Sequence, residues 1–395
     1  MLKEILQQLE SYYEDMVAIR RDFHMYPELS FEEVRTPRKI AEYLESYGIK
    51  VRQNVGGNGV VGFLGGNRPG KTIALRADFD GLPIQDEKDV PYKSKIDGVM
   101  HACGHDIHTA ALLGVARTLS HYRDSLCGNV VFVHQFAEEK GTGGAKPMIE
   151  DRCLDGVDNV YGAHVWATDP IGMIGIRAEY TMSSIDGFEI DIIGQGGHGA
   201  EPHNSIDPVV IGSELVLNLQ QIASRKTDPQ HSIVVTVGSF QSGKAGGVIP
   251  NTAKLTGTVR TYRSEDRVTV EKEIRRRAKH ISASGDATCN IQYTHGYPSL
   301  WNDPQETARV EDIATQLFGT NYVHTVNQLM VSEDFAYYIQ EIPGSFFFVG
   351  GRNPEINAVH PHHHPKFDVD ERSMINIGKM FLGLLARQEV IPEQP

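Results

Sequence analysis

Three histidines, a cysteine and an aspartate fall within the eight positions His101-Ala102-Cys103-Gly104-His105-Asp106-Ile107-His108. Thiolate and neutral imidazole are the side chains that hold zinc-like divalent ions. Cys103 and His105 stand two apart, a spacing that points both side chains the same way on an extended or turning segment. From Thr109 an apolar run with helical spacing follows through Ala110, Ala111, Leu113, Gly114 and Ala116. The ligand types therefore sit on the turn that enters a helix, where unpaired backbone N–H groups favour a thiolate. A lone cysteine reads as a small buried hydrophobe and a lone histidine as surface polarity. Their density here points to a metal. Two ligands do not close a site, so other segments must supply the rest.

Those segments show in the alternation of strand-like and helical stretches. Apolar runs at Val60–Leu64, Thr72–Arg76, Val130–His134, Val160–His164 and Phe346–Gly350 read as strands, and Thr109–Tyr122, Asp303–Phe318 and Arg372–Arg387 as helices. The alternation predicts an α/β fold with a central sheet. Residues 1–50 predict two helices broken at Tyr26-Pro27-Glu28-Leu29-Ser30, with Ser30 and Glu33 as a capping box. Four strands lead directly to acids or imidazoles: Asp78 and Asp80 after the second, Glu138 and Glu139 after the third, His164 closing the fourth, and His360-Pro361-His362-His363-His364 after the last. Ligands in such sheets bind beyond the carboxyl ends of strands. The candidate ligands are Cys103, His105, Glu138 or Glu139, His164 and one of the late histidines. One tetrahedral ion needs three or four ligands. Five candidates suggest two ions about 3.5–4 Å apart with a bridging group. Of the paired glutamates, one can bind metal while the other takes a proton from a bound water.

Residues 181–294 follow a different order: strand, helix, strand, strand, helix, strand, the split βαββαβ pattern of ferredoxin-like domains. About 110 residues suffice for a domain of its own. The expected organisation is a metal-binding catalytic domain from residues 1–180 and 295–395, with 181–294 inserted. Two glycine motifs are decoys. Gly65-Gly66-Asn67-Arg68-Pro69-Gly70-Lys71-Thr72 has phosphate-loop spacing, but a β-type run follows where a helix is needed. Gly194-Gln195-Gly196-Gly197-His198-Gly199 matches a dinucleotide turn, but Glu201-Pro202-His203-Asn204 delays the helix. The glycines are better suited to presenting His198 at a tip. GxSxG and HExxH are absent.

The net charge of −13 and pI of about 5.7 argue against a nucleic-acid or anionic-membrane surface. The N-terminal stretch is amphipathic and carries acids, unlike a signal peptide, and no run approaches the ~20 apolar residues of a membrane span. Four irregularly spaced cysteines without CxxC fit a reducing cytoplasm.

Taken together, His101–Asp106, Arg76-Ala77-Asp78-Phe79-Asp80-Gly81-Leu82-Pro83, Glu138-Glu139 and His363-His364-Pro365-Lys366-Phe367 resemble the dinuclear metallo-aminoacylase/carboxypeptidase family. The similarity is greatest to its N-acyl-amino-acid amidohydrolase branch, which includes hippurate hydrolases, aminoacylases and auxin-conjugate hydrolases. Matches at Arg20–His24 with Pro27–Ser30, Gly196–Ala200, Val248–Asn251 with Gly257–Arg260, and Ser332–Phe335 extend it along nearly the whole chain. The resemblance implies Cys103 as a bridging thiolate, His105, Glu139, His164 and His363 as the other ligands, Glu138 as general base, and Asp78 as an orienting residue behind them. His363 is selected only by its place two before the proline. The inserted domain becomes a lid and dimerisation module, with His198 reaching a neighbouring subunit's site to stabilise the oxyanion and Asn251 and Arg260 holding the substrate carboxylate. One departure is Phe136, where the family usually has proline, and Gly141-Thr142-Gly143-Gly144 is looser than the usual loop. The implied activity is hydrolysis of an N-acyl amino acid, with zinc or manganese, or else cobalt or nickel, as the two ions. A dipeptidase or carboxypeptidase would use the same site, and a non-catalytic metal-binding regulator would need no base.

Overall fold

The computed structural model describes residues 1–392. They divide into two compact units: residues 1–181, 301–327 and from Asp334 onward in the first, residues 182–300 and 328–333 in the second.

The first unit opens with three helices, α1 (Leu2–Ser11), α2 (Tyr13–Met25) and α3 (Arg35–Ser46), where sequence periodicity predicts two. The expected capping box is not formed. The Glu28 carboxylate accepts the N–H groups of Val34, Arg35 and Thr36 at 3.1, 2.8 and 2.7 Å, satisfying more of the orphan donors at the start of α3 than a hydroxyl can. Ser30 and Glu33 are thereby left for partners far along the chain.

The central sheet contains β1 (Lys50–Val55), β2 (Gly59–Gly65), β3 (Arg68–Asp78), β4 (Cys127–Gln135), β5 (Asn159–Pro170), β6 (Ile174–Ile176), and the later strands Val323–Thr325 and Gly344–Arg352. Its order is β1, β2, β4, β3, β5, Gly344–Arg352, β6, Val323–Thr325, and the sheet is mixed. The consecutive strands β4, β3, β5 and Gly344–Arg352 are all parallel, so their carboxyl ends share one edge. Asp78 lies opposite Gln135, and His164 opposite Phe348. These strands read as unbroken apolar runs because helices cover both faces of a parallel sheet; Phe346, Phe347 and Phe348 are fully buried. One structural correction concerns β5. It continues to Pro170, paired with the last strand beyond Trp166, so His164 sits within the strand and does not end it.

Helix α4 (His105–Ser120) is buried along almost its whole length. The glycine-lysine decoy joins β2 to β3, and Lys71 lies in a strand.

The second unit is a four-stranded antiparallel sheet in the order Val234–Ser242, Thr252–Thr261, Ser184–Ile193, Thr288–His295. Helices Pro208–Arg225 and Ser264–Ser284 supply Leu215, Leu219, Ile222, Val270 and Ile274 to a core with Phe188, Ile190 and Ile192. The second glycine motif runs into the two-residue strand Gly197–His198, and after it come only a single 3-10 turn at Pro202–Asn204 and then, from Pro208, an α-helix, so it is no dinucleotide turn. Among the described residues no helix is long and apolar enough to cross a membrane.

Candidate metal centre

Gly104, at φ +98°, makes the turn into α4, and a Cβ there would strike Val165 at 2.4 Å. This lets Cys103 precede the helix and His105 begin it. The His105 Nδ1 lies 3.0 Å from both Asp80 Oδ1 and the Asp80 carbonyl. Both are acceptors, so the proton is on Nδ1 and Nε2 is the nitrogen left to face the cluster. His164 is set the same way, Nδ1 donating to the Val165 carbonyl at 2.6 Å while Nε2 stands 3.3 Å from Cys103 Sγ.

Two donor sets share one residue. Cys103, His105 and His164 have ligand atoms within 4.8 Å of one another, and so do Cys103, Glu139 and His363. A third set, His105, Glu138 and Glu139, places the second glutamate at the same spot. Glu139 Oε1 is 3.8 Å from His105 Nε2 and 3.4 Å from His363 Nε2. The other late histidines are occupied elsewhere. His362 is buried and its Nε2 accepts the Ala167 N–H at 3.1 Å, His360 stacks on His364 at 4.4 Å, and His364 Nδ1 accepts the Lys366 N–H.

The donor set fits a pair of divalent cations. Glu139 Oε1 is buried without a hydrogen-bond partner among the described residues. Burial, together with Glu139, Glu138 and Asp78, holds the Cys103 thiol well above its usual range, so its ionisation calls for compensating positive charge. Burial keeps the His164 imidazole well below its ordinary pKa, leaving it a neutral donor. Burial also opposes charge on His105, but Asp78, Asp80 and Glu139 outweigh it and push that pKa up to about 10. Carboxylates so crowded favour positive charge at this spot.

Asp78 Oδ2 stands 3.8 Å from His105 Nε2, and Asp78 forms a further group of potential donors with His105 and His108. It accepts from Arg76 at 2.6 Å and from His108 Nδ1 at 2.6 Å. His108 Nε2 in turn accepts the Val165 N–H at 2.9 Å, so both nitrogens of His108 are engaged. Sequence reading named His108 and Asp80 but gave neither a role; Asp80 orients His105 and accepts the Glu139 N–H at 3.1 Å. The Asp78-Phe79-Asp80 spacing, two acids on one side of a strand end, was the available signal. Behind the site Arg20 donates to Asp106, Asp368 and Glu371 at 2.7, 2.9 and 3.2 Å, and His24 Nδ1 donates to Asp106 at 2.7 Å.

His198, Asn251 and Arg260 belong to the second unit. His198 is exposed, with Nδ1 accepting the Ala200 N–H. Asn251 Oδ1 accepts the Gly196 N–H at 2.8 Å. Arg260 donates to Ser332 at 3.2 Å; burial lowers its pKa, and no carboxylate among the described residues pairs with it.

A sequence model of peptidase family M20/M25/M40 matches residues 74–387. The chain belongs to that family. It is 49% identical over 96% of both chains to YhaA of Bacillus subtilis, which carries a provisional amidohydrolase name. It is 37% identical to thermostable carboxypeptidase 1 of Saccharolobus solfataricus over 98% of this chain and 97% of that one. With the N-acetyl-L-cysteine deacetylase of Bacillus subtilis it shares 41% identity over 93% of this chain and 86% of the relative. A solved Bacillus subtilis structure, described as a dinuclear metal-binding peptidase of the M20 family, superposes with a TM-score of 0.83 at 35% identity, covering 97% of this chain and all of that one. This M20 chain is therefore a hydrolase on an α/β fold with a central mixed sheet.

The buried histidines give the metal-free M20 chain a pH signature. Burial lowers His101 to about 4 and His134 and His362 to about 3. Each stays neutral in the fold but protonates near 6.5 when unfolded, so stability falls as pH drops below 6.5, by at most about 1.4 kcal/mol per unit for each. Glu33, raised by burial to about 7, offsets one of them between about pH 4.5 and 7. His105 works on the other side: its raised pKa contributes stability below 6.5 that is lost as pH climbs toward 10. Urea midpoints of metal-free protein should therefore peak near pH 6.5; a flat profile from pH 5 to 9 would contradict this account.

Proposed function

We propose that this M20 chain hydrolyses N-acyl amino acids to a free amino acid and a carboxylic acid, with two divalent ions held by Cys103, His105, Glu139, His164 and His363. The observation that carries the reading is the pair of donor sets meeting at Cys103, with Glu138 beside them. Thiolate and imidazoles suit zinc, and manganese, cobalt or nickel can load where they are more available. Bound ions would supply Lewis-acid polarisation of the amide carbonyl and acidify the attacking water. Glu138 takes a proton from that water as its oxygen adds to the carbonyl carbon. The same acid returns a proton to the nitrogen as the C–N bond breaks. Asp80 holds the His105 imidazole, and the Val165 carbonyl the His164 imidazole, in the tautomer that leaves Nε2 free for an ion.

The second unit is read as lid and dimerisation module in a cytoplasmic homodimer. In that role His198 stabilises the oxyanion in a neighbouring subunit. Asn251 and Arg260 hold the substrate's free carboxylate, and the absence of an acid beside Arg260 supports this, because a planar carboxylate suits its fork of donors. The similarity to a carboxypeptidase favours a second reading, in which the scissile bond is a peptide.

The test is a panel of N-acetyl amino acids, N-benzoyl amino acids and dipeptides with zinc- or manganese-loaded protein. Hydrolysis of the N-acyl compounds, abolished by a chelator and restored by metal, is expected. Preference for dipeptides would favour the peptidase. Inertness toward every amide with metal bound would leave a regulatory binder.

A further inference from the structure

Ala137, immediately before Glu138, has φ +52°, a left-handed conformation that side-chain-bearing residues rarely adopt, and it is fully buried. Its N–H donates to Glu33 Oε1 at 2.9 Å, and Glu33 Oε2 accepts from Asn58 Nδ2 at 3.0 Å. Glu33 is itself 1% exposed, a costly place for a carboxylate unless its oxygens are matched by donors. It is not needed to cap α3, since Glu28 does that.

Neighbours of Glu33 grip the same turn. Phe31 packs edge-on against Phe136 with ring centroids 5.7 Å apart. Ser30 donates to Asp80 Oδ2 at 2.6 Å, the oxygen that also accepts the Glu139 N–H. One short loop ahead of α3 thus reaches Ala137 directly and Glu139 through Asp80. Gly57 faces Phe136 from another side, where an added Cβ would stand 3.1 Å from the ring.

We infer that Glu33 is a positioning residue for Glu138: by holding the Ala137 N–H it fixes the left-handed turn that presents the general base. The inference rests on the proposed hydrolysis. It assigns Glu33 no contact with substrate or ions.

The test compares Glu33→Ala, Glu33→Gln and the double variant Glu33→Ala/Ala137→Gly with wild type. Amide hydrogen exchange at Ala137 is read in metal-free protein; metal content, kcat and KM are read in loaded protein. In Glu33→Ala, exchange should rise and kcat fall roughly 10- to 100-fold, the scale of a misplaced catalytic group, with KM and metal content little changed. Glu33→Gln keeps an accepting oxygen and should retain most of the rate. The double variant should regain part of kcat, because glycine adopts positive φ without strain. Unchanged exchange in Glu33→Ala, or a loss of kcat that only tracks lost metal, overturns the inference; so does a double variant that recovers nothing. If the wild type is inert toward every acyl amino acid, the hydrolytic reading falls and takes the catalytic half of the inference with it, while the exchange result still decides whether Glu33 braces the turn.

Discussion

A Glu138→Ala variant is expected to keep its two ions and lose roughly 10²- to 10⁴-fold in turnover, the usual worth of a positioned acid–base group. The expectation follows from a division between adjacent residues. Glu139 reaches toward both His105 and His363 and belongs to the donor set that includes Cys103. Glu138 is absent from both sets that contain Cys103. Removing it should leave five donors in place, enough for the ions, and take away the proton carrier. Because kcat and kcat/KM fall together when a transition-state interaction is lost, KM should stay near wild type. Metal analysis of the purified variant is the discriminating measurement. A variant that arrives without metal would falsify the division of roles, since the carboxylate would then have been a ligand.

The second large effect concerns stability. Arg20 is fully buried, and its guanidinium serves Asp106, Asp368 and Glu371 at once. Although burial opposes ionisation of Asp106, Arg20 and then His24 hold its carboxyl well below the usual range. Arg20→Ala leaves Asp106 and Asp368 buried with their main counter-charge gone, while Glu371 keeps Arg21, a loss of about 3–5 kcal/mol, out of the roughly 5–15 kcal/mol that hold a domain together. Arg20→Lys should rescue little, because a point charge cannot replace a fork spread over three carboxylates. The sign with pH is fixed. A depressed carboxyl contributes stability above its unfolded pKa of about 3.9 and loses it as pH falls through the folded value. The gap between variant and wild type in urea melts should therefore be wide at pH 7 and narrow below about pH 4. A gap independent of pH would mean that packing, not charge, sets the loss.

Legibility in the sequence followed the distance between partners. The cluster from His101 to His108 announced itself because its donors are neighbours, and the α/β layering showed in apolar runs that a parallel sheet requires. The capping box misled because Ser30 and Glu33 have the right spacing for each other, while their partners Asp80 and Ala137 lie 50 and 104 residues away. Glu28 supplied the cap by reaching over a turn, which no fixed spacing records. His164 looked like the end of a strand although Val165-Trp166-Ala167 keep the run apolar past it; pairing with Gly344–Arg352 carries the strand on to Pro170. Nothing local separates His360, His362, His363 and His364. Packing does, by occupying His362 with a backbone N–H and pairing His360 with His364. The frame around Arg20 was invisible for the same reason, its contacts spanning 86 to 351 positions.

The position of strand Gly344–Arg352 between β5 and β6 has a consequence for how the chain is made. On a ribosome, β5 emerges long before its permanent neighbour, and the entire second unit is synthesised in the interval. Throughout that wait the row of backbone donors and acceptors along Asn159–Pro170 is open, the kind of template on which nascent chains stick to one another. Yields from fast expression should suffer more than the finished fold would suggest, and slowing translation or supplying a holdase should favour this protein.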